Sequence, residues 1–399
     1  MMNRTTREAF LQNLQFSLDP FSTPVAEQEV RRVHSTFYDF FVEPGTSEAP
    51  LSLKSLQKPE HLILFAQPGY GKTTLRLALD AYCRTTLSPA LTVSYTFSDT
   101  EEEANNLKEH GDYLANALAI DLTINIIERF NPLASPPSPE QINALKALIH
   151  MAGTKLTRTL NIIRERIITQ DIDPEWGITR EWERLGKAPA KYVEGSQALL
   201  SLLEELLSPP QQILEPSLES FFRGVNTAHQ WKFRNILLAV DAVDTQNLPT
   251  NLILRKVIPL IDLFPQLETH NVFGKFFLPA DLHDQLRTHI QTTQPNLYSR
   301  IKFITIKWQE TALRALIRRR LQASTARTGR RYTSLDQLAV PDLDITTKVL
   351  KVSRGSPRRM LELIDRLIGI HLESADTELR FTHRDWEQLA REEHHTKEL

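Results

Sequence analysis

A chain of 399 residues exceeds what one ordinary core supports and predicts two or three domains. Its formal net charge of −2 excludes a protein that coats nucleic acid non-specifically, so basic patches have to be read one by one. Cys83, the single cysteine, excludes an intramolecular disulfide and a multi-cysteine metal site, and it fits a reducing, cytoplasmic setting. The opening MMNRTTREAFLQNLQFSLDPF lacks a continuous apolar core of signal-peptide length, and no stretch reaches the length of a bilayer span. A soluble, unexported protein without a membrane partner is expected.

In chain order, the first pattern is VAEQEVRRVHSTFYDFF. Val25, Val30, Val33, Phe37 and Phe40 to Val42 give an amphipathic helix that Ser22 or Thr23 caps and Glu43-Pro44-Gly45 ends. Residues 1–60 therefore read as a leader helix and linker. The second is HLILFAQPGYGKTTLR, residues 61–76. Leu62 to Phe65 form the short apolar run of a fully buried strand, turn formers follow, and Thr74-Leu75-Arg76-Leu77 opens a helical pattern.

Between strand and helix, Ala66-Gln67-Pro68-Gly69-Tyr70-Gly71-Lys72-Thr73 fits the P-loop pattern with Ala66 in place of the first glycine. In such a loop consecutive backbone N–H groups and a helix N-terminus face phosphates, Lys72 supplies a point charge between the β- and γ-phosphates, and Thr73 offers Mg²⁺ a hydroxyl. Residues 66–74 are thus the predicted nucleotide cradle, with ATP and Mg²⁺ as ligands.

LTVSYTF, residues 91–97, reads as a second strand and is followed by an acidic loop from Asp99 to Glu103. From about 104 to 208 the pattern is helical, broken at 131–140 and 171–176, with no strand expected. This span is a helical insertion with no chemistry assigned, and His110, Trp176 and Trp182 read as packing or surface residues. NILLAV, residues 235–240, is a buried-strand run that ends on Asp241, followed by Ala242-Val243-Asp244. A carboxylate at the end of a central strand beside a P-loop holds Mg²⁺, the Walker B role, and Asp244 is placed to orient an attacking water.

Residues 271–282, NVFGKFFLPADL, give another strand whose Lys275, Pro279 and Asp281 stand near where a γ-phosphate sensor is sought; that role is left unassigned. IKFITIKW, residues 301–308, makes the fifth strand, and five strands separated by helices predict a doubly wound parallel sheet of α/β class over 61–308. From 309 to 399 the pattern turns helical and reads as a small lid. Its arginines 314, 318, 319, 320, 327, 330 and 331 read as a solvated face in preference to a nucleic-acid contact.

With the P-loop, the Asp241 strand, Arg300 and Gly355-Ser356-Pro357-Arg358 in view, residues 19–100 and 230–375 resemble the AAA+ and STAND branches of the P-loop ATPases, bacterial members with an Orc/Cdc6-like or STAND core in particular. The resemblance leaves the insertion unexplained. It implies that Arg358 is similar to a sensor-2 arginine that reaches the γ-phosphate, and that Arg300 is similar to an arginine finger offered to a neighbouring subunit. In many nucleotide-binding ATPases a leader helix such as the one here packs beside adenine; a helix covering the sheet edge is the alternative. Asp241-Ala242-Val243-Asp244 is closer to STAND acid spacing, and Thr245 stands where STAND members often carry Glu, a departure that bears on hydrolysis and not on binding. The expected function is an ATP-driven conformational switch or oligomeric ATPase, a homo-oligomer on ATP binding, with Lys72, Asp241, Asp244 and Arg300 as catalytic residues. Two alternatives stand beside it: a DNA-associated loader or remodeller, and a slowly hydrolysing scaffold that recruits a separate effector protein.

Overall fold

A computed structural model describes residues 4–22, 25–26, 28–29, 37–46, 51–96, 107–131, 136–241, 249–326, 329, 331–374 and 379–398. The chain divides into two compact units. One contains 52–68 and 72–305, the other 1–51, 69–71 and 306–399.

The first unit is built on five parallel strands, β1 (His61–Ala66), β2 (Ala90–Thr96), β3 (Asn235–Asp241), β4 (Val272–Pro279) and β5 (Ile301–Thr305), in the order β2-β3-β4-β1-β5 and flanked by helices. The α/β class and the parallel sheet expected from the sequence are present. A parallel sheet covered on both faces demands continuous apolar runs. That is why all six residues of HLILFA are buried, as are the last six of NILLAVD. The edge strand β5 is buried only at Ile301 and half-buried beyond Lys302. It is shorter than IKFITIKW: Ile306 leaves the sheet and bridges Thr46 in the other unit's residue set.

Register aligns the strand ends. Asp241 stands opposite Thr96 of β2 and Phe277 of β4, while Ala66 stands opposite Pro279. At the other end His61 pairs with Ile301.

Between β2 and β3 run the helices Leu107–Glu128, Pro139–Met151, Thr154–Thr169, Gln197–Leu207 and Leu218–Gln230, with a 3₁₀ segment Ile178–Leu185. Among the described residues of this span no strand is present beyond isolated bridges at Asp173, Gly177 and Val193. Local chemistry sets the breaks: Ser138 and Gln141 close a reciprocal capping box just before Pro139 at the start of one helix. The insertion shares one apolar core with the sheet, Leu114, Leu118 and Leu122 packing in the cluster that holds Ile63 and Leu238. His110, Trp176 and Trp182 are buried, and Trp182 packs in this cluster. Burial lowers the His110 pKa to about 4, and its Nδ1 lies 2.8 Å from the Tyr95 hydroxyl.

Charges also fasten the insertion. Arg84, at the end of the Lys72–Thr85 helix, donates from Nε to Glu128 at 2.8 Å and from Nη1 to the Ala188 carbonyl at 2.8 Å. Asp121 accepts the Ser94 N–H at 2.8 Å and faces Lys187.

The second unit is helical and draws on both ends of the sequence. Phe10, Leu14, Phe16 and Phe21 pack with Leu313, Ile317 and Leu321 of the Glu310–Ser324 helix and with Met360, Ile364 and Leu367 of the Pro357–Glu373 helix. Arg7 from the Arg4–Asn13 helix pairs with Asp19 at 2.7 Å and with Asp365. Arg320 turns inward, donating to the Pro20 carbonyl at 2.8 Å and to Glu29 at 2.7 Å. Of the leader helix expected from 25 to 42, residues 27 and 30–36 lie outside the described residues; the described part includes Glu29 and a short helix Phe37–Phe40. Among the described residues no helix is long and apolar enough to cross a membrane.

Candidate functional site

The site begins where β1 ends. Ala66 is the last, buried residue of the strand, Gln67 and Pro68 are exposed, and the Lys72–Thr85 helix starts directly on the lysine. Gly69 and Gly71 have φ of +78° and +85°. Residues with a Cβ rarely adopt that conformation, so the turn needs glycine at both places. A Cβ on Gly69 would also lie 3.0 Å from Ser356 Oγ and from the Arg358 Cβ.

Lys72 is buried, and its ammonium donates to the Ala66 carbonyl at 2.9 Å and the Gln67 carbonyl at 3.4 Å. The cation therefore sits folded over the root of the loop. Thr73 and Thr74 lie half-buried in the first helical turn. The first N–H groups of a helix have no intrahelical acceptor, and the helix dipole favours negative charge there.

Asp241 closes β3 at the same edge of the sheet as this loop. It is fully buried, with Oδ2 accepting from Arg76 Nε at 3.0 Å. Arg76 belongs to the Lys72–Thr85 helix and is itself buried. Asp241 Oδ1 is also buried and has no hydrogen-bond partner among the described residues. A buried carboxylate oxygen left without a donor is costly and unusual.

A divalent cation fits the donors present. Thr73 brings a hydroxyl and Asp241 a carboxylate oxygen, both hard ligands of the kind Mg²⁺ takes. Among the described residues no group of three or more His, Cys, Asp or Glu is poised to hold a metal.

Three further predicted residues remain to be placed. Asp244 lies outside the described residues. Arg300 is more than half exposed, immediately before β5, and pairs with Glu268. Because Ile301 is opposite His61, it stands at the sheet edge away from Lys72 and Asp241. Glu268 also faces His61 Nε2 at 3.3 Å. Arg358 occupies the first turn of the Pro357–Glu373 helix, and its backbone N–H donates to the Gly69 carbonyl at 3.2 Å within the helical unit's residue set. In the same set Trp308 Nε1 donates to the Tyr70 carbonyl at 3.0 Å, and the Tyr70 hydroxyl reaches the Arg354 carbonyl at 3.4 Å.

Lys275, near the sought sensor position, is turned the other way. It pairs in register with Leu62, and its ammonium donates to the carbonyls of Lys58 and Glu60 at 2.9 and 2.7 Å. Burial lowers its pKa to about 8. Asp281 is exposed and accepts from the Thr250 hydroxyl at 2.6 Å.

Sequence reasoning overlooked Arg76. Its one signal is spacing: four residues after Lys72, it falls on the same helix face one turn on. The basic run after Gln309 also divides: Arg320 is buried, Arg314 pairs with Glu310 and donates to Thr347, and Arg318, Arg319 and Arg331 are exposed. Arg327 and Arg330 lie outside the described residues. Compared with protein-family models, curated proteins and solved structures, the chain matches none.

Proposed function

We propose that this chain binds Mg-ATP at residues 66–74 and works as a nucleotide-dependent conformational switch or oligomeric ATPase of AAA+/STAND type. The observation that supports this most is the pairing, at one edge of a parallel sheet, of a glycine-shaped loop ending in a buried lysine with a buried carboxylate that has one oxygen without a hydrogen bond among the described residues. Ligands of open α/β sheets gather at the carboxyl ends of strands, which is where both stand.

In this reading the Lys72 ammonium leaves the carbonyls of Ala66 and Gln67 for the β- and γ-phosphate oxygens, exchanging two dipoles for formal negative charge. The first-turn N–H groups take phosphate oxygens. Thr73 and Asp241 hold the metal, and Mg²⁺ when bound neutralises charge that develops on the transferring group. Asp244 orients the attacking water, Arg358 contributes a phosphate contact, and Arg300 acts on a neighbouring subunit's nucleotide in a homo-oligomer.

Titration calorimetry with ATP and Mg²⁺ tests the reading. Wild type should bind, and Lys72→Ala should lose about tenfold to a hundredfold in affinity, the worth of a charged hydrogen bond. Equal affinity of the two proteins removes Lys72 from the site. Asp244→Asn should keep binding and lose turnover. Arg300→Ala should bind ATP, turn over slowly, and recover activity when mixed with Lys72→Ala subunits. Exposed Arg318 and Arg319 favour one second reading, nucleic-acid contact by the helical unit, which DNA-stimulated turnover would reveal.

A further inference from the structure

Asp241 is the most buried carboxylate at the candidate site, and what neutralises it is a residue of the loop's own helix. Lys72 and Arg76 lie one turn apart on one face of that helix, so the residue assigned to phosphate and the residue facing Asp241 move as a rigid pair. The described contact is single: Arg76 Nε to Asp241 Oδ2 at 3.0 Å. Arginine commonly binds carboxylates through a two-pronged fork that occupies both oxygens. Here one prong is used, and Oδ1 is buried without a hydrogen-bond partner among the described residues.

We infer that Arg76 is a positioning residue for the metal: by holding Oδ2 it keeps the Asp241 carboxylate turned so that Oδ1 presents to a divalent cation, and thereby sets how strongly Mg²⁺ enhances ATP binding. The inference rests on the reading of residues 66–74 as a nucleotide site. Without that hydrogen bond the carboxylate is free to turn, and Oδ1 is no longer held in one direction for a hard cation. A metal's outer groups orient its direct ligands, and removing such a partner typically costs about tenfold to a hundredfold in metal affinity.

The test is ATP affinity by calorimetry in Mg²⁺ and in EDTA, the ratio of the two being the metal enhancement. Arg76→Gln should lower that ratio about tenfold while leaving affinity in EDTA within about twofold of wild type, because Lys72 and the loop are untouched. Arg76→Lys retains the charge without the planar geometry, and its ratio should fall between those of wild type and Arg76→Gln. Circular dichroism melts establish that each variant is folded; should Arg76→Gln not fold, Arg76→Lys decides, and a wild-type ratio in it overturns the inference. An undiminished ratio in folded Arg76→Gln overturns it as well, and a raised ratio would make Arg76 the metal's competitor. Wild type that binds ATP without enhancement by Mg²⁺ also sinks it. Wild type that binds no ATP in either buffer removes the nucleotide site itself, and the inference with it.

Discussion

The two edges of the sheet bury charge in opposite ways. At the edge where the strands begin, Lys275 has two backbone carbonyls, His61 Nδ1 accepts the Gly274 N–H at 2.9 Å, and Glu268 lies between His61 and Arg300. At the edge where they end, Asp241 has, among the described residues, one arginine contact and an oxygen without a hydrogen bond, and Lys72 donates to the Ala66 and Gln67 carbonyls. Among the described residues each edge leaves one buried polar atom without a hydrogen bond, His61 Nε2 where the strands begin and Asp241 Oδ1 where they end; only the second is a carboxylate oxygen beside the glycine loop. Burial alone does not distinguish the edges, since all of Lys72, Asp241, His61 and Lys275 are buried.

The largest effect expected from this contrast is at the edge where the strands end. Asp241→Asn strands the buried Arg76 guanidinium, and removing one partner of a buried pair costs about 3–5 kcal/mol. Urea titration reads this directly, and a variant as stable as wild type would show that the pair is not what holds the edge together. At the opposite edge Lys275→Met should cost less, about 2 kcal/mol for two carbonyls losing a donor, and leave ATP affinity within about twofold. A loss of ATP binding there would erase the distinction between the edges.

Acid provides the third probe. Burial first, then the charges of Lys275 and Arg300, lowers the His61 pKa to about 3, so His61 is neutral in the folded chain and titrates near 6.5 when unfolded. The unfolded state binds the extra proton between those values. Stability is therefore fully present above about pH 6.5 and declines as pH falls towards 3, by about 1 kcal/mol from this residue between pH 7 and 5.5. His61→Gln should flatten that part of the profile, and an unaltered slope would mean that other groups carry it. The smallest effect is expected for Glu268→Gln. Its partner Arg300 is more than half in solvent, which holds the loss to about 0.2–1 kcal/mol.

Much of the edge where the strands end was legible in the sequence. LILF and NILLAV announce themselves because a strand buried on both faces has no room for alternation, and the glycines at 69 and 71 announce a turn with positive φ. Asp241 is conspicuous as the first acid after an apolar run. Arg76 was not, because an arginine in an amphipathic helix is ordinarily solvated, and only the partner strand makes it buried. Lys275 reads as a possible sensor by position along the chain, yet alternation along β4 and the chain entering β1 send it to the opposite edge. The short helix Pro295–Tyr298 just before Arg300 is likewise too brief for periodicity to report.

The place of Phe10 and Leu14 was hidden for a different reason: an apolar face states that it wants a core without saying which one. That core has a consequence for synthesis on the ribosome. Arg7 and its partner Asp365 are 358 positions apart, so at elongation rates of about 5–20 residues per second the N-terminal helix waits roughly 20–70 s for its partners to be made. Throughout that interval the sheet unit can be translated and folded, while Phe10, Leu14, Phe16 and Phe21 remain without the helices that bury them. A nascent chain with this order of synthesis leaves Phe10 and Leu14 uncovered until the Pro357–Glu373 helix has been made.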